Sequence, residues 1–322
     1  MAQIKIAVLR GGPSSEHEVS LSSGEFFINT LSENKKYLPV DILIRKDGEW
    51  TLNSVPVLPE KALRMSDVAL IALHGEYGED GKVQRILENY HIPFTGSSSH
   101  ASFLGMNKVL SRGAFEQNGL LIPKGIVLDT DDDPEESAQI ILSRLAPNWV
   151  IKPVVGGSSL GIKIAKTFKD LVESIKHAFG YSKKVLVEEM IMGKEFTCGV
   201  IENFRGEDYY TLPAIEIIPH PSRSFFDYEA KYCGLSTEIC PARITNHLKK
   251  ELAFSATLAH KSIGARHYSR TDFMVDQRGN VYTLEINTLP GMTETSLLPK
   301  SLLAVGAERG YFLDHLISLA LK

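Results

Sequence analysis

Cysteine is scarce in this chain. Its 322 residues include three, Cys198, Cys233 and Cys240. They are widely spaced, odd in number, and form no C-x-x-C pair. A disulfide framework and a thiolate zinc site are excluded, and reduced thiols in a cytoplasm are expected. Long apolar runs are missing too: none approaches the roughly 18 residues that span a bilayer. There is no basic excess. Lysine and arginine number 35 against 39 acidic residues, a formal net charge of −4, with both signs scattered along the chain. Nucleic acid and an anionic membrane are therefore not expected as obligatory partners. The opening MAQIKIAVL lacks the charged region, longer apolar core and cleavage site of a signal peptide and reads as a buried strand. Repeats, low-complexity tracts and long linkers are absent, so domains should pack directly on one another, with ligands in the clefts between them.

What is present is ordinary globular composition, 43% hydrophobic and 23% charged. The length suggests roughly two or three domains. Apolar runs at Ile4–Leu9, Val40–Ile44 and Val68–Leu73 alternate with helical patterns, the last over Asp80–Tyr90, and Ile92–Thr95 returns to a strand. That alternation predicts a parallel sheet with crossovers, ending near Gly96. One helix is expected from Ser97 to about Asn118. A compact α+β unit follows, with a strand near Leu121–Val127, a helix over Pro134–Leu145, the strand Trp149–Lys152, a helix at Phe168–Phe179 and the strand Lys184–Glu189. The remainder should hold several strands, a long loop near His220–Ser236, the helix Asn246–Ile263, a hairpin and a terminal helix from about Tyr311. The expected domains are 1–96, 97–187 and 188–322.

VIKPVVGGSSLGIK, from Val150, resembles a phosphate-binding loop. Gly156 and Gly161 have the P-loop spacing, but the lysine that should follow is Ile162. A P-loop also opens a helix, whereas this stretch lies between strands. It reads instead as a glycine-serine flap whose small residues allow backbone to approach phosphate. Its lysine, Lys152, comes before the glycines. Lys152 ends a buried strand, where lysine needs a partner. Lys108 follows an apolar helix face and can point into a cleft. Taken alone, each lysine is more often a surface residue.

The sharpest constellation lies near the C-terminus. RTDFMV and LEIN flank a turn. Alternation puts Arg270 and Asp272 on one face of the first strand, and Glu285 and Asn287 on one face of the second. With an even number of loop residues, all four share a side. Two carboxylates and an amide oxygen then form a hard oxygen set that suits Mg²⁺, beside an arginine able to stabilise a transferring phosphoryl group or an oxyanion. The bland alternative is a solvated hairpin. It is disfavoured because Phe273, Val275, Val281 and Leu284 make the opposite face apolar. Thr288–Ser296, with Pro290-Gly291, reads as a helix N-terminus offering N–H groups to anions, or simply as capping by Thr293 or Ser296. In the first loop, GGPSSEHEVS lacks the dinucleotide fingerprint. Its acids favour the helix dipole, and they suit an amine ligand better than a pyrophosphate.

Together and in order, these motifs closely resemble the D-alanine–D-alanine ligase family of ATP-grasp enzymes. GGPSSEHEVSLSSG, HGEYGEDGKVQ, MNK, IKP with GGSSLG, EEMIMGKEFT, FDYEAKY, RTDFMV and LEINTLPGMTETSLLP carry the resemblance over essentially the whole chain. It implies an α/β and α+β ATP-grasp fold of three domains, with ATP between the last two. It implies a cytoplasmic homodimer that uses ATP and Mg²⁺ or Mn²⁺, with two ions, to join two D-alanines through an acyl phosphate for peptidoglycan precursor synthesis. By the same resemblance Lys108, Lys152 and Ser159 meet ATP phosphates. Glu188, Glu189, Ile191, Glu195 and Lys231 meet the rest of the nucleotide side, and Asp272, Glu285 and Asn287 hold metal. Arg270 and the Gly291 N–H stabilise the oxyanion. Glu16 takes the first substrate's ammonium, with His74 and Lys231 nearby, and Ser296 takes the second substrate's carboxylate. Ser158 and Tyr232 close the lid, and tyrosine at 232 goes with dipeptide rather than D-lactate products. Val154-Val155-Gly156 departs from the charged or polar residues of many relatives. Two alternatives are another ATP-grasp carboxylate–amine ligase, which EHEVS and EAKY disfavour, and a nucleotide-binding regulatory module. The latter should have lost a metal ligand or Arg270.

Overall fold

The computed structural model describes residues 3–156, 161–219, 236–293 and 295–322. Among these residues the strands form three sheets. The first unit contains β1 (Ile4–Gly11), α1 (His17–Ser32), β2 (Tyr37–Ile44), β3 (Trp50–Leu52), β4 (Val55–Pro56), α2 (Pro59–Leu63), β5 (Val68–Ile71) and α3 (Lys82–Asn89). Ile6 to Leu9 are wholly buried, as befits a central strand covered on both faces. β1 pairs in parallel with β2 on one side and β5 on the other. The purely parallel expectation is corrected at the β2 edge, where β3 and β4 run antiparallel. Their connections are tight turns, too short for a crossover helix. Ile92–Thr95 contributes only a parallel bridge between Ala69 and Phe94. Gly11 ends β1 with φ +89°, and a Cβ there would lie 2.3 Å from the Ile44 carbonyl oxygen. That close crossing brings the chain round to place Glu16 at the head of α1.

The helix expected from Ser97 to Asn118 is two helices, α4 (Ser99–Met106) and α5 (Lys108–Gln117). Asn107 breaks it. Its φ/ψ of −89°/105° is extended, and its Oδ1 accepts from the Val109 and Leu110 N–H groups. An asparagine that caps the second helix satisfies donors a continuous helix would bond internally. Lys108 thus becomes the first residue of a helix aimed at the next unit.

That unit holds β6 (Gly125–Asp129), α6 (Pro134–Arg144), β7 (Trp149–Pro153), β8 (Lys163–Ala165), α7 (Phe168–Phe179) and β9 (Lys184–Glu189). Its antiparallel sheet runs β6-β9-β7-β8. Trp149, Ile151, Leu171, Ile175, Val185 and Val187 share its core. The glycine-serine stretch connects the antiparallel strands β7 and β8, consistent with a hairpin rather than a P-loop.

The third sheet comprises β10 (Gly193–Phe204), β11 (Glu207–Thr211), β12 (Ile215–Pro219), β13 (Ser236–Ile239), β14 (Tyr268–Asp276) and β15 (Val281–Asn287), with α8 (Asn246–Ser262) between β13 and β14. Its order is β13-β12-β10-β14-β15, with β11 on β10. α9 (Leu297–Ala304) and α10 (Arg309–Ala320) end the chain. The expected divide after residue 187 falls inside β9, which pairs with β7 as far as Glu189. Packing also crosses the expected divides. Phe115 of α5 clusters with Ala259, Ile263 and Ile286, and Phe312 and Leu316 of α10 join the core of the first sheet. Buried Cys198 has its thiol pushed up to about 12 by burial, so it stays protonated and inert. Cys233 lies outside the described residues.

One junction is acid-sensitive. The Gly96 N–H donates to His267 Nδ1 at 3.0 Å, and the His267 N–H donates to Glu202 Oε2 at 2.6 Å. Burial, reinforced by Arg266, pushes the His267 imidazole down to about 4. A depressed histidine contributes stability at neutral pH that is lost as pH falls from about 6.5 through about 4. His267 has φ +64°, which asparagine tolerates. His267→Asn therefore keeps the acceptor and the backbone. Between about pH 7 and pH 4.5 its melting temperature should fall by about 5 °C less than that of the unmodified chain in thermal scans.

Candidate active site

Two cavities meet at Glu285, which lines both. The larger runs between the second and third sheets. Lys152 reaches it from β7, Glu188 and Glu189 from β9, Ile191 from the connection, Glu195 from β10, and Asp272 from β14. The other lies between the first unit and the third sheet. It is walled by Glu16, His74, Lys108, Arg270, Asn287, Gly291 and Ser296. Every expected site residue within the described segments lies on one wall or the other. Ser158, Ser159, Lys231 and Tyr232 lie outside the described residues.

The polar face of the β14–β15 hairpin forms as expected, by a different route. Arg270 stands opposite Asn287, and Asp272 opposite Glu285. The loop between the paired Val275 and Val281 holds an odd number of residues. Continued regularly, that register would set Asp272 opposite Leu284 and turn Glu285 away. A bulge beside Asp272 shifts the register by one residue. Such a bulge re-aims side chains at a site. Leu284, expected on the core face, consequently lines the nucleotide-side cavity together with Glu285 and Met274. Phe273 and Val275 remain in the core.

Charge in this face is tightly arranged. Asp272 accepts from Arg270 Nε and Nη2, both at 3.2 Å, and from Thr197 Oγ1 at 2.5 Å. Lys108 Nζ donates to the Gly156 carbonyl at 2.8 Å and lies 3.7 Å from Glu285 Oε2. Asn287 Oδ1 is buried and has no hydrogen-bond partner among the described residues. A buried acceptor left open costs about 1–3 kcal/mol unless a ligand fills it. An orphan amide oxygen beside two carboxylates fits a hard divalent cation, as the hard oxygen ligands of Mg²⁺ require.

The nucleotide-side wall holds a buried ion cluster. Glu188 is 1% exposed. Its Oε2 lies 2.6 Å from Lys152 Nζ, and its Oε1 accepts from Arg112 Nη1. Arg112 also donates to the Pro123 carbonyl at 2.5 Å. The partner that burial demands for Lys152 is therefore Glu188. Both Glu188 oxygens are engaged, so its carboxylate fixes Lys152 at the wall of the cavity that both line. Glu189 Oε1 accepts the Lys124 N–H at 2.8 Å.

On the other side, Glu16 and His74 are 7% and 6% exposed. His74 Nε2 and Ser23 Oγ share a hydrogen bond of 2.8 Å, and burial pushes the imidazole down, so it is neutral. Ser296 is the N-cap of α9, yet its side chain makes no cap hydrogen bond. Its hydroxyl pairs with Thr293 Oγ1 at 2.7 Å and faces the cavity. A Cβ at Gly291 would lie 2.8 Å from Ser296 Oγ, so only glycine leaves both groups room here.

Sequence reasoning does not single out several residues that line these walls or bond to the residues lining them. Met274 had a usable signal, two residues beyond Asp272 on the same strand face. Arg112 also had one: it shares the buried face of α5 with Lys108, Ser111 and Phe115 at helical spacing. Glu216, paired with Lys194 at 2.7 Å, and Thr197 had none, because their roles depend on pairing with distant strands.

The whole chain matches known proteins. Family models described as the N-terminus and C-terminus of D-ala D-ala ligase match residues 5–63 and 55–97, and 114–318, respectively. A D-alanine–D-alanine ligase from Syntrophobacter fumaroxidans is 39% identical over 322 residues, covering 99% of this chain and 98% of that protein. The crystal structure of VanG D-Ala:D-Ser ligase from Enterococcus faecalis superposes with a TM-score of 0.85 at 30% identity, covering 99% and 100% of the two chains. The D-alanine–D-alanine ligase of Bacillus anthracis complexed with ATP gives 0.78 at 30% identity, over 99% and 97%. With a relative this similar along its full length and both family models matched, the chain belongs to the D-alanine–D-alanine ligase family of ATP-grasp enzymes.

Proposed function

We propose that this chain joins two D-alanines with ATP, the carboxylate of one becoming an acyl phosphate that the amine of the other attacks. The observation that carries this reading is the shared wall. Arg270, Asp272 and Glu285 stand where a nucleotide cavity meets a cavity lined by an acid suited to an ammonium group. A γ-phosphoryl group and a carboxylate held on the two sides of that wall are in position for transfer, which requires mainly placement and charge neutralisation.

Glu16 binds the ammonium of the first D-alanine, and the neutral His74 contacts the same substrate in that pocket. Lys108 and Lys152 hold ATP phosphates. Glu189, Ile191 and Glu195 contact the adenosine side, with Ser159 and Lys231 covering the nucleotide. Asp272, Glu285 and Asn287 would hold Mg²⁺ or Mn²⁺, whose bound charge would neutralise the phosphates. A carboxylate oxygen of the first substrate attacks the γ-phosphorus, and the bond to ADP breaks. The second amine, having lost a proton, attacks the acyl carbon. Arg270 and the Gly291 N–H stabilise the oxyanion that forms, and the carbon–oxygen bond to phosphate then breaks. Ser296 binds the second substrate's carboxylate. Ser158 and Tyr232 close the lid and exclude water from the acyl phosphate. The product would feed peptidoglycan precursor synthesis in the cytoplasm. A homodimer is proposed from the family resemblance. Among the described residues no helix is long and apolar enough to cross a membrane.

Phosphate release assayed with ATP and Mg²⁺ should depend on D-alanine and be absent with L-alanine. Equal rates with both would contradict the reading. D-Serine is the alternative second substrate, since a D-Ala:D-Ser ligase superposes as well as a D-alanine–D-alanine ligase does, each with a TM-score of 0.85. Competition between D-alanine and D-serine, with products identified by mass, decides between them.

A further inference from the structure

The loop that carries His74 holds a second acid, Glu79, with no part in the chemistry above. It lines the same cavity as Glu16. Glu79 Oε1 accepts the Gly75 N–H at 2.8 Å and lies 4.0 Å from His74 Nδ1. Gly75 has φ +69°, and a Cβ there would lie 2.6 Å from Glu16 Oε2. A single left-handed glycine therefore touches both acids. Its N–H holds Glu79, and its missing side chain makes room for Glu16. Ser14 Oγ donates to the His74 carbonyl at 2.7 Å and locks this turn to the Glu16 loop.

The groups facing Glu79 come from every neighbouring element. They are Glu16 at the head of α1, His74 in its own loop, Tyr268 and Arg270 on β14, and Glu285 on β15. Burial and then Glu16 push the Glu79 carboxyl up to about 8, with Glu285 adding and Arg270 and the Gly75 N–H opposing. At neutral pH Glu79 is therefore held as a carboxylic acid beside the Glu16 side chain. A cation arriving between two such groups favours ionisation of both.

We propose that Glu79 is the second acid of the first-substrate pocket, a specificity-determining residue that joins Glu16 in reading an ammonium group and releases its proton to solvent when that group binds. This rests on the D-alanine reading above. Charge balances: the pocket gains the ammonium and loses one proton. An uncharged hydroxyl in place of the amine would draw no proton from Glu79, which makes the pair selective for amino acids over hydroxy acids at the first position.

The test is the KM for the first D-alanine across about pH 6.5 to 8.5. In the unmodified chain it should fall about tenfold with rising pH, since binding below about pH 8 must displace a proton. Glu79→Gln keeps an acceptor for the Gly75 N–H but has no proton to release. Its KM should be about tenfold higher at the alkaline end and nearly flat with pH, with kcat changed by less than about threefold. A Glu79→Gln profile that matches the unmodified chain, or a loss confined to kcat, overturns the proposal. Calorimetric titration of the unmodified chain with D-alanine, in two buffers of different ionisation enthalpy at about pH 7, needs no variant and no turnover. It should show release of close to one proton; none overturns the proposal. A chain without D-alanine-dependent phosphate release overturns both readings, whereas one that turns over without proton release overturns only the part given to Glu79.

Discussion

Glu285→Gln should lower kcat by about 10³ while leaving the melting temperature within about 2 °C. The side chain stands where the two cavities meet, opposite Asp272 on the neighbouring strand. Its own side chain is 36% exposed, so the amide replaces it without burying an unmatched group. What is lost is one negative charge in the set proposed to hold a cation against ATP phosphates. Lys108 also loses a counter-charge at 3.7 Å. Excess Mg²⁺ should recover part of the rate, because the missing charge weakens cation binding before it alters geometry. Phosphate-release rates at several Mg²⁺ concentrations, beside a thermal melt, check this. A rate within tenfold of the unmodified chain would remove Glu285 from the metal set.

Glu188→Ala should produce the largest loss of stability, about 3–5 kcal/mol. The carboxylate is buried between Arg112 and Lys152, and its removal leaves two cations facing each other with no counter-charge between them. An expected melting temperature lower by about 10 °C follows for a chain of this size. Arg112→Met in the same chain should recover part of the loss, because one uncompensated charge is gone and the two effects are coupled. Thermal melts of the single and double variants test this. Simple additivity would show that Arg112 and Glu188 do not act as a pair.

The chemistry of the hairpin was legible because alternation along a strand is a local rule, so Arg270, Asp272, Glu285 and Asn287 could be placed on a face from spacing alone. The bulge that puts all four on one side of the hairpin was not legible. It depends on how the strands settle against each other, and nothing around Leu284 announces the extra residue. The first strand was legible through its continuous apolar run. The antiparallel β3 and β4 were not, since three-residue and two-residue strands carry too little pattern. The break at Asn107 was readable in principle as a cap, but the apolar periodicity on both sides argued for one helix. The double pairing of Glu188 was invisible because Arg112 lies 76 residues away.

The central claim is that a substrate carboxylate receives the phosphoryl group before the peptide bond forms. D-Alanine labelled with ¹⁸O in its carboxylate, supplied with unlabelled ATP and Mg²⁺ in ordinary water, tests it most directly. Mass analysis of the products should find inorganic phosphate carrying one labelled oxygen, formed together with D-alanyl-D-alanine. Phosphate containing no label, released alongside the same dipeptide, would contradict the account.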